Sequence, residues 1–333
     1  MSSMHSKRGL ISPRAWRTDD QAGSGSSGDA TKPEDSAAQQ NPGTARDIGS
    51  AATSEAVATE QAPSFIRRCG TWIREHRPHM GGVFALLCIV GLFLPSSYVV
   101  ESPGPTMNVL GTVEGTDVIK VSGATVHKDN GKLLMTTVNA SGLPQSPALV
   151  GEVIWAWFSP KASVMPREVV YPSNETGEEY EKESKQQMVG AQSSATQQAL
   201  AFLKEKGVDT TGITLSMDGG DVGGPSAGLM YTLGSIDKLT AESETGGKVI
   251  AGTGTIDSKG KVGAIGGIRL KMIAAKRDGA SWFLAPADNC SEVIGNIPDG
   301  LTVVKATTLD DAYKSLVAIG KGETSGLPAC KAR

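Results

Sequence analysis

Two segments carry the residues best able to do chemistry: Gly223-Gly224-Pro225-Ser226-Ala227-Gly228 and, 45 residues later (271 − 226), Gly266-Gly267-Ile268-Arg269-Leu270-Lys271. Together they offer a serine nucleophile and a lysine base. A serine hydroxyl attacks a carbonyl only when a neighbour takes its proton. Lysine does this as a neutral amine, so its pKa must fall from about 10.4 towards roughly 7–8 by desolvation. On a helix starting at Ile268, residues Ile268, Met272 and Ala275 recur three or four positions apart and surround Lys271 with apolar matter. Histidine is scarce, at His5, His76, His79 and His127, and only His127 lies in the same region of the chain as Ser226.

Ser226 follows a glycine-rich loop at the predicted start of a helix from Pro225 or Ser226 to Lys238. Backbone N–H groups there point outward at the positive end of the macrodipole. The amides of Ser226 and of Gly223 or Gly224 are therefore candidates for an oxyanion hole, since Pro225 has none. The same residues also describe an ordinary loop-to-helix start with an N-cap serine and a surface lysine. Spacing alone leaves both open.

The elements needed to position this pair read as α+β. Val118–Val121 and Lys132–Val138 flank an Asp129-Asn130-Gly131 turn and predict a hairpin. Pro147–Phe158 predicts an amphipathic helix, its tryptophans packed on that sheet rather than lying on a membrane. Glu178–Lys206 predicts a long helix with Met188, Ala191, Ala195, Ala199, Leu200 and Leu203 at spacings of three and four. Ile213–Met217, Val249–Gly254, Lys261–Ile265, Ser281–Ala285 and Leu301–Lys305 read as strands, and Ile268–Arg277 and Leu309–Val317 as helices.

The 333 residues carry a net charge of −3, which indicates neither a nucleic-acid binder nor an acidic tail. Residues 17–64 hold no aromatic residue, so 1–64 reads as a disordered tail. A basic segment, 65–79, contains Arg67, Arg68, Arg74 and Arg77, and the uncharged run 80–100 predicts one transmembrane helix. Flanking charge puts the N-terminus in the cytoplasm and the domain at 101–320 outside it, at the cell membrane, with 321–333 a flexible tail. Cys290 and Cys330 both fall outside, where a disulfide can form, and the sequence leaves their pairing open. No cysteine or histidine spacing suggests a zinc site, and no metal or cofactor is expected. No P-loop of the form G-x-x-x-x-G-K-[ST] occurs, so no nucleotide partner is expected either.

Three ordered blocks, Gly223–Leu229, Ala251-Gly252-Thr253-Gly254-Thr255-Ile256 and Ile265–Lys271, resemble the proteolytic domain of Lon proteases. The likeness extends to Tyr98–Pro105, Pro166-Arg167-Glu168 and Tyr171-Pro172, covering about residues 80–320, and looks like that of the membrane-anchored, ATP-independent group described as YlbL-type. The resemblance implies a Lon-type proteolytic domain after one N-terminal transmembrane helix. It further implies an ATP-independent serine endopeptidase, protein or peptide substrates, and ring-like self-association. It assigns Ser226 as nucleophile, Lys271 as general base and then acid, and Thr253 as the hydroxyl that orients the lysine. Two departures stand out: only about 20 residues separate Leu203 from Gly223, too few for the PDZ module of such relatives. Gly223 also stands where full-length Lon carries an acidic residue, leaving Asp221 as a substitute.

Two rivals remain. Ser235-Ile236-Asp237-Lys238 fits the S-x-x-K pattern of penicillin-binding proteins, without the partner motifs Ser-Asp-Asn or Lys-Thr-Gly. A catalytically silent Lon-like fold serving as a membrane-tethered binding or scaffold module is the alternative to an enzyme.

Overall fold

The computed structural model describes residues 81–144, 146–171, 176–220 and 222–331. From residue 88 onward these belong to one compact unit, while 81–87 belong to another. The tail expected over 1–64, the basic segment 65–79 and Asp221 lie outside the described residues.

Residues 81–92 are helical (α1). They are followed by β1 (Tyr98–Asn108), the short pair β2 (Thr112–Val113) and β3 (Thr116–Asp117), β4 (Ile119–Ser122) and β5 (Lys132–Ser141). Next come α2 (Val150–Trp157), β6 (Ser163–Pro166), α3 (Arg167–Val170), α4 (Gly177–Glu205), β7 (Thr214–Met217), α5 (Gly228–Leu239) and β8 (Val249–Gly252). The chain closes with β9 (Thr255–Ile256), β10 (Val262–Gly263), α6 (Ile268–Arg277), β11 (Trp282–Pro286), α7 (Cys290–Val293), β12 (Thr302–Ala306) and α8 (Leu309–Lys321).

A mixed six-stranded sheet in the order β12-β11-β8-β5-β1-β6 organises the unit. Neighbours from β12 to β5 run parallel, and β1 is antiparallel to β5 and β6. Side chains alternate faces along a strand, so each strand feeds two cores. Leu133, Met135, Ile250, Leu284 and Val304 pack with α4, α5 and α8 residues such as Leu203, Leu229 and Leu316. Their strand neighbours Leu134, Ala251, Phe283 and Val303 pack with Ile268, Met272 and Ala275 of α6 and Val293 of α7. The domain is mixed α/β, the coarser part of the α+β expectation, with four parallel strands in its sheet, and α6 matches the predicted helix residue for residue.

Helix α4 starts where local chemistry dictates. Thr176 caps it, accepting from the Glu179 N–H while the Glu179 carboxylate accepts from the Thr176 N–H, a reciprocal capping box. Its buried side chains Met188, Ala191, Ala195, Ala199 and Leu203 follow the predicted spacing.

Four expectations need correction. The run 80–100 is not one helix: α1 ends at residue 92, and no helix among the described residues is long and apolar enough to cross a membrane. Pro95 lacks the amide a helix needs, and the β-branched Val99 and Val100, 0% and 4% exposed, pair into the sheet instead. The hairpin across Asp129-Asn130-Gly131 does not form either. β4 pairs antiparallel with β7, whereas β5 lies between β1 and β8. Only Val153 and Ala156 of α2 are buried, while Trp155 and Trp157 are 64% and 60% exposed, so the tryptophans are not core. Finally, the segment after α8 is fastened: the Lys305 N–H donates to Pro328 O at 2.7 Å, and Cys330 is disulfide-bonded to Cys290. Closing a loop of 40 residues stabilises the fold by about 4 kcal/mol on chain-entropy grounds.

Candidate active site

Ser226 lies in the turn just before α5, which starts at Gly228 rather than at Pro225 or Ser226, and it is 7% exposed. The turn is pressed against α4. The Gly224 N–H donates to Ser184 O at 3.0 Å, and a Cβ on Gly223 would come within 2.1 Å of Ser184 Oγ. A side chain at 223 would therefore have to displace the Ser184 hydroxyl. The Gly224 amide, spent on Ser184, drops out of the oxyanion candidates. The amides of Gly223 and Ser226 make no hydrogen bond among the described residues and stay available to a substrate oxyanion.

Thr253 directly follows β8 and is fully buried, its N–H anchored to Leu284 O of β11 at 3.2 Å. Its hydroxyl donates to Ser226 O at 3.1 Å and accepts from Lys271 Nζ at 3.2 Å. The Gly254 N–H donates to the same Ser226 carbonyl at 2.9 Å, and Leu229 N–H returns to Gly254 O at 3.0 Å. The strand end and the turn holding Ser226 are thus laced together. Because the threonine proton is committed to Ser226 O, the lysine must be donor in their contact, which leaves the lone pair of a neutral amine free for another proton.

Lys271 sits in the first turn of α6, entirely buried beside Ile268 and Met272, both also 0% exposed. Gly267 caps that helix in the left-handed region at φ 69°, where a Cβ would come within 2.9 Å of Val138 Cγ1 and 3.6 Å of Glu101 Oε2. Burial lowers the Lys271 ammonium to about 7, against the opposing pull of the Glu101 charge. Glu101, on β1 and 2% exposed, is pushed up to about 7 by burial, with Lys271 acting against the rise. Glu101 lies within the block Tyr98–Pro105, whose sequence assigns it no chemistry. Its burial comes from the β1–β5–β6 pairing, which no local pattern announces.

The rival serine does not form a site. Ser235 and Lys238 are buried in α5, and Lys238 Nζ donates to Ile119 O at 2.8 Å beside Asp117. Lys276 donates to Gly300 O, and Lys261 pairs with Asp288 at the surface.

Residues 177–318 match the family model of the Lon protease (S16) C-terminal proteolytic domain. The chain is 40% identical over 94 residues to the mitochondrial Lon protease homolog of Drosophila melanogaster, covering 27% of this chain and 9% of that protein. It is 36% identical over 94 residues to the Lon protease of Azospirillum brasilense, and 32% identical over 94 residues to Lon protease 1 of Bacillus subtilis. These cover 27% of this chain each, and 11% and 12% of the relatives. The chain thus spans about a tenth of the length of these curated relatives. Ser226, Thr253 and Lys271 all fall inside the matched stretch, which supports a serine endopeptidase. The stretch similar to the Lon protease C-terminal proteolytic domain runs from the start of α4 into α8.

Proposed function

We propose that this chain is a membrane-anchored, ATP-independent serine endopeptidase that cuts extended protein segments through an acyl-enzyme, with Ser226 as nucleophile and Lys271 as base. The observation that carries the reading is the buried Lys271 amine, held by Thr253, whose hydroxyl is also tied to the Ser226 main chain. With its pKa near 7, a large share of that amine is neutral at neutral pH. It takes the Ser226 proton as Oγ attacks the scissile carbonyl. The Gly223 and Ser226 amides stabilise the oxyanion, and the resulting ammonium protonates the leaving amine. Water then enters, Lys271 takes its proton, and the acyl-enzyme is hydrolysed. Glu101 tunes the amine through its charge.

Anchoring at a cell membrane, with the domain outside the cytoplasm, draws on the uncharged run 80–100 and on exposed apolar side chains. Phe84, Leu87, Ile89 and Phe93 are 70%, 63%, 53% and 68% exposed, and Trp155, Trp157 and Phe158 of α2 and its cap are 64%, 60% and 85% exposed. α2 is held next to residues 94–98, through Val150 N–H to Leu94 O at 2.9 Å and an edge-on Tyr98–Trp157 contact. Aromatic side chains of this kind suit a lipid interface. Subunit association is part of the same proposal, on the strength of resemblance.

Full-length protein in detergent, treated with a serine-reactive phosphonate and with an unfolded model substrate, tests the reading. Expected are labelling at Ser226, loss of labelling in Lys271→Ala, and no cleavage by Ser226→Ala. Labelling nowhere, with substrate still bound, would favour the scaffold alternative, and unchanged turnover by Ser226→Ala would refute the assignment.

A further inference from the structure

At the far end of the helix that follows Ser226, three carboxylates meet. Asp129 comes from the loop between β4 and β5, Asp237 from the last turn of α5, and Glu244 from the loop after it, and one oxygen of each lies within 4.8 Å of the others. Asp237 and Glu244 are each 2% exposed. Donors satisfy part of the group. Asp129 accepts from Gly131 N–H at 2.8 Å, Thr245 N–H at 2.9 Å, Ser243 Oγ at 2.8 Å and Thr245 Oγ1. Glu244 Oε1 accepts from Thr240 Oγ1 and from Tyr313 Oη at 3.2 Å.

Two buried oxygens, Asp237 Oδ2 and Glu244 Oε2, have no hydrogen-bond donor among the described residues. Nor does any lysine or arginine among them pair with the three acids. The adjacent Lys238 turns away to Ile119 O. Leaving buried carboxylate oxygens unpaired is costly, and three acids together repel. The donor set is all oxygen, up to three negative charges ringed by hydroxyls, which is what a hard divalent cation takes. Ca2+ accepts many carboxylate and hydroxyl oxygens in irregular array, whereas Mg2+ demands near-octahedral geometry and keeps its waters.

We propose that Asp129, Asp237 and Glu244 form a binding site for a hard divalent cation, Ca2+ in preference to Mg2+, which clamps the C-terminal end of α5 to the loops at 129–131 and 243–246. The other end of that helix abuts Ser226, eleven residues from Asp237 (237 − 226), so the clamp fixes the element on which the nucleophile is mounted. No sequence motif marks it: the acids are 108 and 7 residues apart (237 − 129; 244 − 237).

The test uses full-length Ser226→Ala protein stripped with chelator, so it reads binding and not proteolysis, and its outcome is separate from that of the Ser226 assignment. Tb3+ is the probe, since Tyr313, with its hydroxyl on Glu244, can sensitise its luminescence. Expected are saturable Tb3+ emission, displacement by CaCl2 at lower concentration than by MgCl2, and a melting temperature raised by about 5–10 °C at 100-fold excess over Kd. Asp237→Asn and Glu244→Gln, checked for fold by circular dichroism, should each lose the emission and the shift. No saturable Tb3+ emission in the absence of competitor, together with no melting-temperature shift in millimolar CaCl2, would overturn the proposal and leave a proton-sharing cluster. Undiminished binding in both variants, or tighter competition by Mg2+, would overturn it as well.

Discussion

Lys271→Met exchanges a buried amine for an apolar chain of similar length and tests the energetic cost on which the proposed chemistry rests. The amine has a pKa of about 7 in the folded protein, against about 10.4 in an unfolded chain. Between those values the unfolded state binds more protons, so stability rises with pH across this window. At 1.36 kcal/mol per pH unit the site costs on the order of 4 kcal/mol at pH 7. Methionine forgoes the hydrogen bond to Thr253, about 1 kcal/mol, so the variant should gain about 3 kcal/mol, or a melting temperature about 6–12 °C higher at pH 7. Glu101 works in the adjacent window with opposite sign. Raised from about 4.3 to about 7, it makes the folded state the better proton binder there, so its contribution is lost as pH rises through 7. Thermal unfolding of full-length protein from pH 5 to 10 measures both. Asp237, pushed up to about 9 by burial and its neighbouring acids, lowers stability as pH rises to that value and offsets the lysine. The lysine's window is therefore read as the advantage of Lys271→Met over wild type, which should be largest at or below pH 7 and shrink towards pH 10. A methionine variant that melts at or below wild type, with the same slope above pH 7, would refute a buried neutral amine.

Three further outcomes follow from the site. Thr253→Val removes the hydroxyl between Lys271 and Ser226 and should lower kcat/KM by about 10–100-fold, with Thr253→Ser restoring most of it; a wild-type rate in the valine variant would remove Thr253 from the mechanism. The rate of wild-type protein should rise with pH through about 7 as Lys271 loses its proton, and Glu101→Gln, which removes the charge that holds that proton, should move the inflection lower; a flat profile from pH 6 to 9 would count against Lys271. Gly223→Ala drives a methyl into Ser184 and should cost about 10–100-fold in turnover, partly recovered by adding Ser184→Gly; an undisturbed single variant would mean that this contact does not set the Ser226 turn.

Local physics made some of this legible in sequence and not the rest. Helix α6 could be read residue for residue because Gly267 marks its start and its apolar positions recur at helical spacing, and α4 because its buried stripe and its stop at Gly207 are continuous in the chain. Strand partners were another matter. The Asp-Asn-Gly turn argued for pairing β4 with β5, yet β4 finds β7, about 95 residues away (214 − 119), and the turn's aspartate is spent on Thr245 and Ser243 instead. Turn chemistry is local, whereas sheet order is decided by which strands together cover two cores. The same holds at the site. Ser226, Thr253 and Lys271 sit in short glycine-rich signatures because Gly224, Gly254 and Gly267 take positive φ and side chains crowd Gly223 and Gly252, and such signatures are local in the chain. Glu101 is 170 residues from Lys271 (271 − 101) and meets it only because β1 enters the sheet beside β5 and under α6. A carboxyl that tunes an amine needs only burial and proximity, both supplied by topology. Such partners leave no local spacing to read, which is also why the three acids at the far end of α5 emerge only once the chain is folded.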